Sequence, residues 1–259
     1  MHSHPVLREQ KQPKKEPQRV IKPISAPKPE QEPEQEKNDV DITAVVVNFE
    51  TEELIKNAVN SFRKFYPTIP LVIVDNNSTD GSRDWIRKQK NEFTRVVLNR
   101  SNKGHGPALH REFLRADTKY VFTFDSDVEF LCGGLLESMV SLIRDAYAIG
   151  WLRWVNKDGV AVDEKKPFDK EKYCPYIHPY SALYDRDIYL TLFPFVNNGA
   201  PAVFNMRDAN KRGLEVVPFY LAPYVKHLVA GTRRMWKGHW YPGSKPKLQE
   251  WKDGEKYPI

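Results

Sequence analysis

The sequence predicts an α/β protein whose mostly parallel central sheet is flanked by helices and preceded by a disordered N-terminal tail. Three observations carry that expectation. Short β-branched runs such as "ITAVVV", "LVIV" and "RVVL" read as strands buried on both faces. Segments with helical apolar spacing lie between them, which argues for parallel strands joined by right-handed crossovers. Residues 1–39 differ from both: rich in Pro, Glu, Gln and Lys, they hold no aromatic residue and no apolar period, and cannot bury enough surface to offset the entropy of ordering.

The first strand is "DITAVVVNF" from residue 41. The helix after it, "EELIKNAVNSFRKF", sets Leu54, Ile55, Ala58, Val59, Phe62 and Phe65 on one face, with Thr51, Glu52 and Glu53 as its start. A strand "LVIVD", a turn "NNSTDGS" and a helix near 82–90 follow, then a strand "RVVLN", a loop "RSNKGHG", a helix near 107–116 and a strand "KYVFTF". Beyond Asp127 the rhythm loosens. A helix is expected over "GGLLESMVSLIRD", a strand over "YAIGWLRWV", and a hairpin or mobile loop over "NKDGVAVDEKKPFDKEKY". An aromatic segment "YIHPYSALY", short helices near 186–193 and 201–212, a strand "LEVVPF" and a basic, aromatic C-terminal stretch complete the chain, with no internal repeat.

A length of 259 residues with 40% hydrophobic content suffices for one large α/β domain or two small ones. The tail holds eight Lys and Arg against seven Asp and Glu, so most of the formal net charge of +6 belongs to the remainder, which is mildly basic. No apolar run approaches the roughly 18 residues of a membrane span, and the N-terminus lacks the apolar centre of a secretory signal. Cys132 and Cys174 are the only cysteines, so a reduced, cytoplasmic protein is expected. They and the scattered histidines show no zinc spacing.

In open α/β sheets, ligands bind beyond the carboxyl ends of the strands. Four polar elements fall there. Asn48 ends the first strand, Asp75 the second, the loop Asn102 to Gly104 follows the third, and Asp125 with Asp127 ends the fourth. Each has an ordinary explanation by itself, as a turn, a helix cap or a flexible loop. The recurrence at four successive strand ends is what a nucleotide site in this architecture requires. Two carboxylates one residue apart at a strand end also repel each other unless a cation lies between them.

The segments "AVVVNFETEELIKNAVNSF", "LVIVDNNSTDGS", "NRSNKGHGPALHREF" and "YVFTFDSDVEF", in this order and spacing, resemble the nucleotide-sugar-binding half of family 2 glycosyltransferases of the GT-A fold, a Rossmann-like architecture. The resemblance implies that residues 40–130 form that half, 131–235 the acceptor-side half of the same domain, and 236–259 a basic aromatic extension. It places the base and ribose of a nucleotide-diphosphate sugar, UDP-sugars being favoured, against Asn48, Glu50 and Asp75, with Asn102 and Lys103 nearby. It implies that Asp125 faces ribose and metal, and that Asp127 ligates a Mn²⁺ or Mg²⁺ that stabilises the leaving diphosphate. "PYSALYDRDIYLTLFPF" is similar to the acceptor-side segment, and "APYVKHLVAGTRR" to a late segment whose histidine, here His227, can complete the metal site.

One departure stands out. Where many relatives carry an acidic pair that supplies the general base, "NNGAPAVFNMRDANKRG" has Ala200 and Pro201. Asp208 lies about two turns further along the helix near 201–212 and is expected to point elsewhere, while Asp185, Asp187, Asp163 and Glu164 are within reach and none of them is singled out. The favoured reading is a metal-dependent transferase acting on a hydroxyl acceptor such as a glycan, inverting as is usual in the family. A nucleotide-sugar-binding protein without turnover is a second reading. A nucleic-acid partner or acceptor, suggested by Arg233, Arg234, Trp236, Lys237, His239, Trp240 and Tyr241, is a third and less favoured one.

Overall fold

The computed structural model describes residues 40–163, 168–169, 172–196 and 199–228. The calls for a disordered segment over 1–39 and a basic aromatic extension over 236–259 fall outside the described residues, as does Glu164. Nine strands and six helices are described: β1 (Ile42–Asn48), α1 (Glu52–Phe65), β2 (Leu71–Asp75), α2 (Ser82–Arg87), β3 (Thr94–Leu98), α3 (His105–Arg115), β4 (Tyr120–Asp125), β5 (Val128–Phe130), α4 (Leu135–Ile143), β6 (Ala148–Val155), β7 (Cys174–Asp185), α5 (Arg186–Leu190), α6 (Val203–Lys211), β8 (Val216–Pro218) and β9 (Val225–His227). Seven strands form one sheet in the order β3-β2-β1-β4-β7-β6-β8, and β5 pairs with β9 in a second. The first four are mutually parallel, β7 is antiparallel to both neighbours, and β8 runs parallel to β6.

Every residue of β1 and β2 is buried, as continuous β-branched runs require when helices cover both faces. One face packs Ile55, Ala58, Val59 and Phe62 of α1 and Leu135, Leu136 and Met139 of α4 against Val46, Ile73 and Phe124. Phe62 stacks on Phe124 at 5.1 Å and meets Phe130 edge-on at 5.2 Å. The other face packs Leu109 and Phe113 of α3 and Val203 and Met206 of α6 over Val45, Val74 and Tyr184. Each Val, Leu, Ile, Phe or Met side chain among them contributes about 1.5–3 kcal/mol on leaving water. Arg63 closes the end of α1, donating from Nη1 to the Tyr66 and Ile69 carbonyls and from Nη2 to Phe93.

The parallel helices and strands follow the sequence pattern with shifted ends: α2 stops at Arg87, and α3 begins at His105, where Gly104 with φ +87° makes the turn. The 156–173 segment is a hairpin in its described part. Asn156 Oδ1 accepts from the amides of Asp158 and Val160, and Val162 N bonds Trp154 O at 2.9 Å. The larger difference is β7. The aromatic segment is a twelve-residue strand inserted between β4 and β6, although Pro175 and Pro179 interrupt its strand pattern. Cys132 and Cys174 are free, and among the described residues no helix is long and apolar enough to cross a membrane.

Two predictions test this packing. A Cβ at Gly150 would lie 2.9 Å from Ile177 Cγ2 and 3.1 Å from both Ala182 Cβ and Ser181 O. Gly150→Ala should cost about 1–3 kcal/mol of stability in urea unfolding, and an unchanged midpoint would contradict the tight contact with β7.

His110 lies half-buried on α3 with Nδ1 2.9 Å from the Tyr189 hydroxyl, and burial lowers its pKa below the ordinary 6.5. The unfolded chain therefore binds this proton more readily. The resulting stability is fully present above about 6.5 and is lost as pH falls below it. His110→Gln should flatten the fall in urea midpoint between about pH 7 and pH 5; equal slopes in the two proteins would refute the coupling.

Candidate active site

Sheet register brings the polar strand ends together. Asn48 stands opposite Asp75, and Val47 opposite Asp125. Asn48 is fully buried, and its Nδ2 lies within hydrogen-bond reach of Asp75 Oδ1 at 3.2 Å, Ser78 Oγ at 3.1 Å and Ser82 Oγ at 2.8 Å. Its Oδ1 accepts from Thr51 Oγ1, which also lies 3.1 Å from Ser126 Oγ. Thr51 thus turns away from α1, and Asp80 caps that helix instead: Oδ2 accepts from Glu52 N at 2.8 Å while Oδ1 holds Ser82. Glu50 adopts a left-handed φ of +54° and accepts from Thr79 N and Oγ1.

Asp75 is also fully buried. Its Oδ2 accepts from Arg83 Nη1 at 2.6 Å and from the amides of Asn77 and Ser78. Arg83, a quarter exposed, therefore stands between Asp75 and solvent. Asn102 and Lys103 are exposed, and Asn102 Oδ1 accepts from Gly104 N. Asn76, which the sequence did not single out, ties this loop down: Nδ2 donates to Gly104 O and Oδ1 accepts from Asn99.

The chain turns at Asp125–Ser126–Asp127. Ser126 points into the Thr51 network, leaving the two carboxylates on the other side of the turn. His227 joins them because β5 and β9 pair with Val128 opposite His227, and Leu228 N donates to Asp127 O at 2.8 Å. His227 Nε2 is 3.4 Å from Asp127 Oδ1. Ligand atoms of Asp125, Asp127 and His227 all lie within 4.8 Å of one another. Asp125 Oδ1 is buried without a hydrogen-bond partner, and His105 Nε2 lies 3.6 Å from it. Two carboxylates, an imidazole and an orphaned carboxylate oxygen suit a divalent cation of the Mn²⁺ or Mg²⁺ kind.

The electrostatics agree. Burial raises the Asp125 carboxyl above the usual range and the neighbouring Asp127 charge adds to this, with His105 and His227 opposing. Burial pulls His227 down, but its hydrogen bond to Asp127 and the fields of both aspartates hold it above 6.5. Tyr180 stacks on the His227 ring at 4.4 Å and 12°. His178, beside both, is pushed down to about 3, mainly by burial, and is a neutral imidazole. His105, His178 and Tyr180 escaped the sequence reading. The one available signal was His105 as the first residue after a glycine at a strand-to-helix junction.

Three of the acceptor-side carboxylates have structural partners in place. Asp185 caps α5 through Ile188 N, and Asp208 accepts from Phe193 N and pairs with Arg212. Asp187 is exposed beside Arg186. Ala200 and Pro201 immediately precede α6, with no carboxylate at that point.

This sheet order, with an acidic turn at the end of β4 and a histidine returning to it, defines a GT-A-type α/β fold. Its solved likenesses include a mannosyltransferase from Pyrobaculum calidifontis in complex with GDP-Man and Mn²⁺, 18% identical, covering 69% of this chain and 54% of that one at a TM-score of 0.52. GalNAc-T7 with UDP, GalNAc and Mn²⁺ is 14% identical, covering 74% and 44% at 0.57. At these identities the likeness concerns the fold. Residues 43–196 match the model of Glycosyl transferase family 2, and the chain belongs to that family. A protein assigned to teichuronic acid biosynthesis as a glycosyltransferase in Bacillus subtilis is 25% identical over 128 residues, covering 48% of this chain and about half, 51%, of that relative.

Arg83 provides a test of the buried pair. Arg83→Met should cost about 3–5 kcal/mol in equilibrium unfolding, because it leaves a buried carboxylate without its counter-charge. A loss below about 1 kcal/mol would show that Asp75 does not depend on it.

Proposed function

We propose that the protein is a metal-dependent glycosyltransferase that moves a sugar from a nucleotide-diphosphate donor, UDP-sugars being favoured, to a hydroxyl of a glycan or similar acceptor. The observation that carries the reading is the Asp125–Asp127–His227 cluster at the carboxyl end of the sheet in a family 2 chain. Related folds that hold UDP or GDP-mannose together with Mn²⁺ support it.

In this reading Asp127 and His227 would hold the cation, and Asp125 would face both it and the ribose. The bound ion supplies charge neutralisation for the departing diphosphate. The base and ribose lie against Glu50 and the Asp75–Arg83 pair, and Asn102 and Lys103 close over the donor from the loop before α3. Asn48, buried among its four partners, acts on the donor through the loops it holds. A single displacement with inversion is the outcome that the resemblance implies. Its general base is unassigned; Asp185 and Asp208 each have a carboxylate oxygen engaged in a structural bond.

The test is release of UDP from a panel of UDP-sugars in Mn²⁺, with and without hydroxyl acceptors. Asp127→Asn should lower metal-dependent release at least about 100-fold, with the melting temperature close to the parent's. His227→Ala should move the Mn²⁺ activation curve to higher concentration. Release that survives both Asp127→Asn and a strong chelator would remove the metal from the reaction. Donor binding without release or transfer on any acceptor would favour the non-catalytic reading, for which Ala200 and Pro201 are the motivating residues.

A further inference from the structure

The sheet edge beside the metal-ligand cluster carries a group that the reading above leaves unused. β6 loses register with β7 between Gly150 and Leu152, and the bulge leaves Trp151 unmatched in the ladder. On the other edge of β6, β8 stops opposite Gly150, and the returning hairpin bonds β6 again at Trp154 and then Asn156 just past its end. Residues 151–153 therefore stand at an interval in the sheet edge that no described strand fills. There Trp151 stays 38% exposed although rings back its indole: Tyr180 meets it edge-on at 5.5 Å and His178 lies at 6.0 Å. Tyr180 in turn stacks on His227, so the indole is two ring contacts from the metal cluster. The Arg153 guanidinium lies over the indole at 5.0 Å.

Strand order decides which substrate this surface would meet. The loops assigned to the donor follow β1, β2 and β3, on one side of β4. Trp151 lies on the opposite side, beyond β7. We propose that Trp151 and Arg153 form the acceptor platform and take a pyranoside bearing a carboxylate or phosphate, an inference that rests on the transferase reading. The C–H face of a pyranose is apolar, with hydrogens that suit the electron-rich face of an indole. Arg153 supplies a planar fork of donors that matches an anionic oxygen pair. Backing by Tyr180 and His178 fixes the indole before the ligand arrives, so little side-chain freedom is lost on binding.

The test uses the full chain, with methyl β-glucuronide and methyl β-glucoside as probes, read by saturation-transfer NMR and calorimetry; UDP affinity in Mn²⁺ reports separately on the donor site. The expected result is that Trp151→Ala weakens glucuronide binding at least tenfold while UDP still binds, that Trp151→Phe restores part of it, and that Arg153→Gln weakens the glucuronide but not the glucoside. Parental glucuronide affinity in Trp151→Ala, or no binding of either probe to the parent, overturns the platform. Equal affinity for the two probes, unchanged by Arg153→Gln, overturns the anionic class. A parent that binds glucuronide through Trp151 but does not bind UDP with Mn²⁺ retains the platform and sinks the transferase reading.

Discussion

The buried side chain of Asn48 is the constraint on which the rest of the site depends. Two N–H groups are shared among Asp75, Ser78 and Ser82, and its carbonyl accepts from Thr51, which reaches on to Ser126. One amide thus joins the end of β1, the end of β2, the start of α2, the approach to α1 and the acidic turn after β4. A single hydrogen bond of this kind adds about 1 kcal/mol net, yet leaving a buried partner unsatisfied costs about 1–3 kcal/mol. The loops are held because no member can leave alone. Asp80, capping α1 and bonding Ser82 at the start of α2, extends the same logic to the helix ends.

That scaffold makes the charged turn tolerable. Ser126 faces inward, so Asp125 and Asp127 both face the side on which His227 returns. Phe124 and Phe130 flank the turn and pack against Phe62, which anchors the backbone on both sides of the carboxylates. Burial, with the Asp127 charge adding to it, raises the Asp125 carboxyl, and the two aspartates raise the His227 imidazole against its own burial. A divalent cation answers both at once, since it favours ionised carboxylates and a neutral imidazole.

The second half of the chain contributes through β7. Its antiparallel insertion brings Tyr180 under His227 and His178 beside it, and its shift of register with β6 exposes Trp151. Gly150 permits this by letting the strands approach where a side chain would collide. The aromatic backing of the Asp125–Asp127–His227 cluster and the exposed indole are consequences of how one strand joins the sheet.

The sequence by itself determined the parallel half of the fold and the identity of its strand-end residues. Periods of two and 3.6 residues are local signals, and the runs ending at Asn48, Asp75 and Asp125 announce where a parallel sheet delivers its polar ends. It also pointed to His227, through resemblance of its surroundings. Tertiary structure decided what those residues touch. Asp75 looks the same in sequence whether it faces solvent or, as here, lies sealed beneath Arg83. The twelve-residue β7 was hidden because prolines interrupt its pattern, and because its burial comes from neighbours far away in the chain. His105, His178 and Tyr180 gave little or no local signal, since their proximity to the carboxylates is set by strand order and register. Those depend on long-range pairing, which no window of sequence contains.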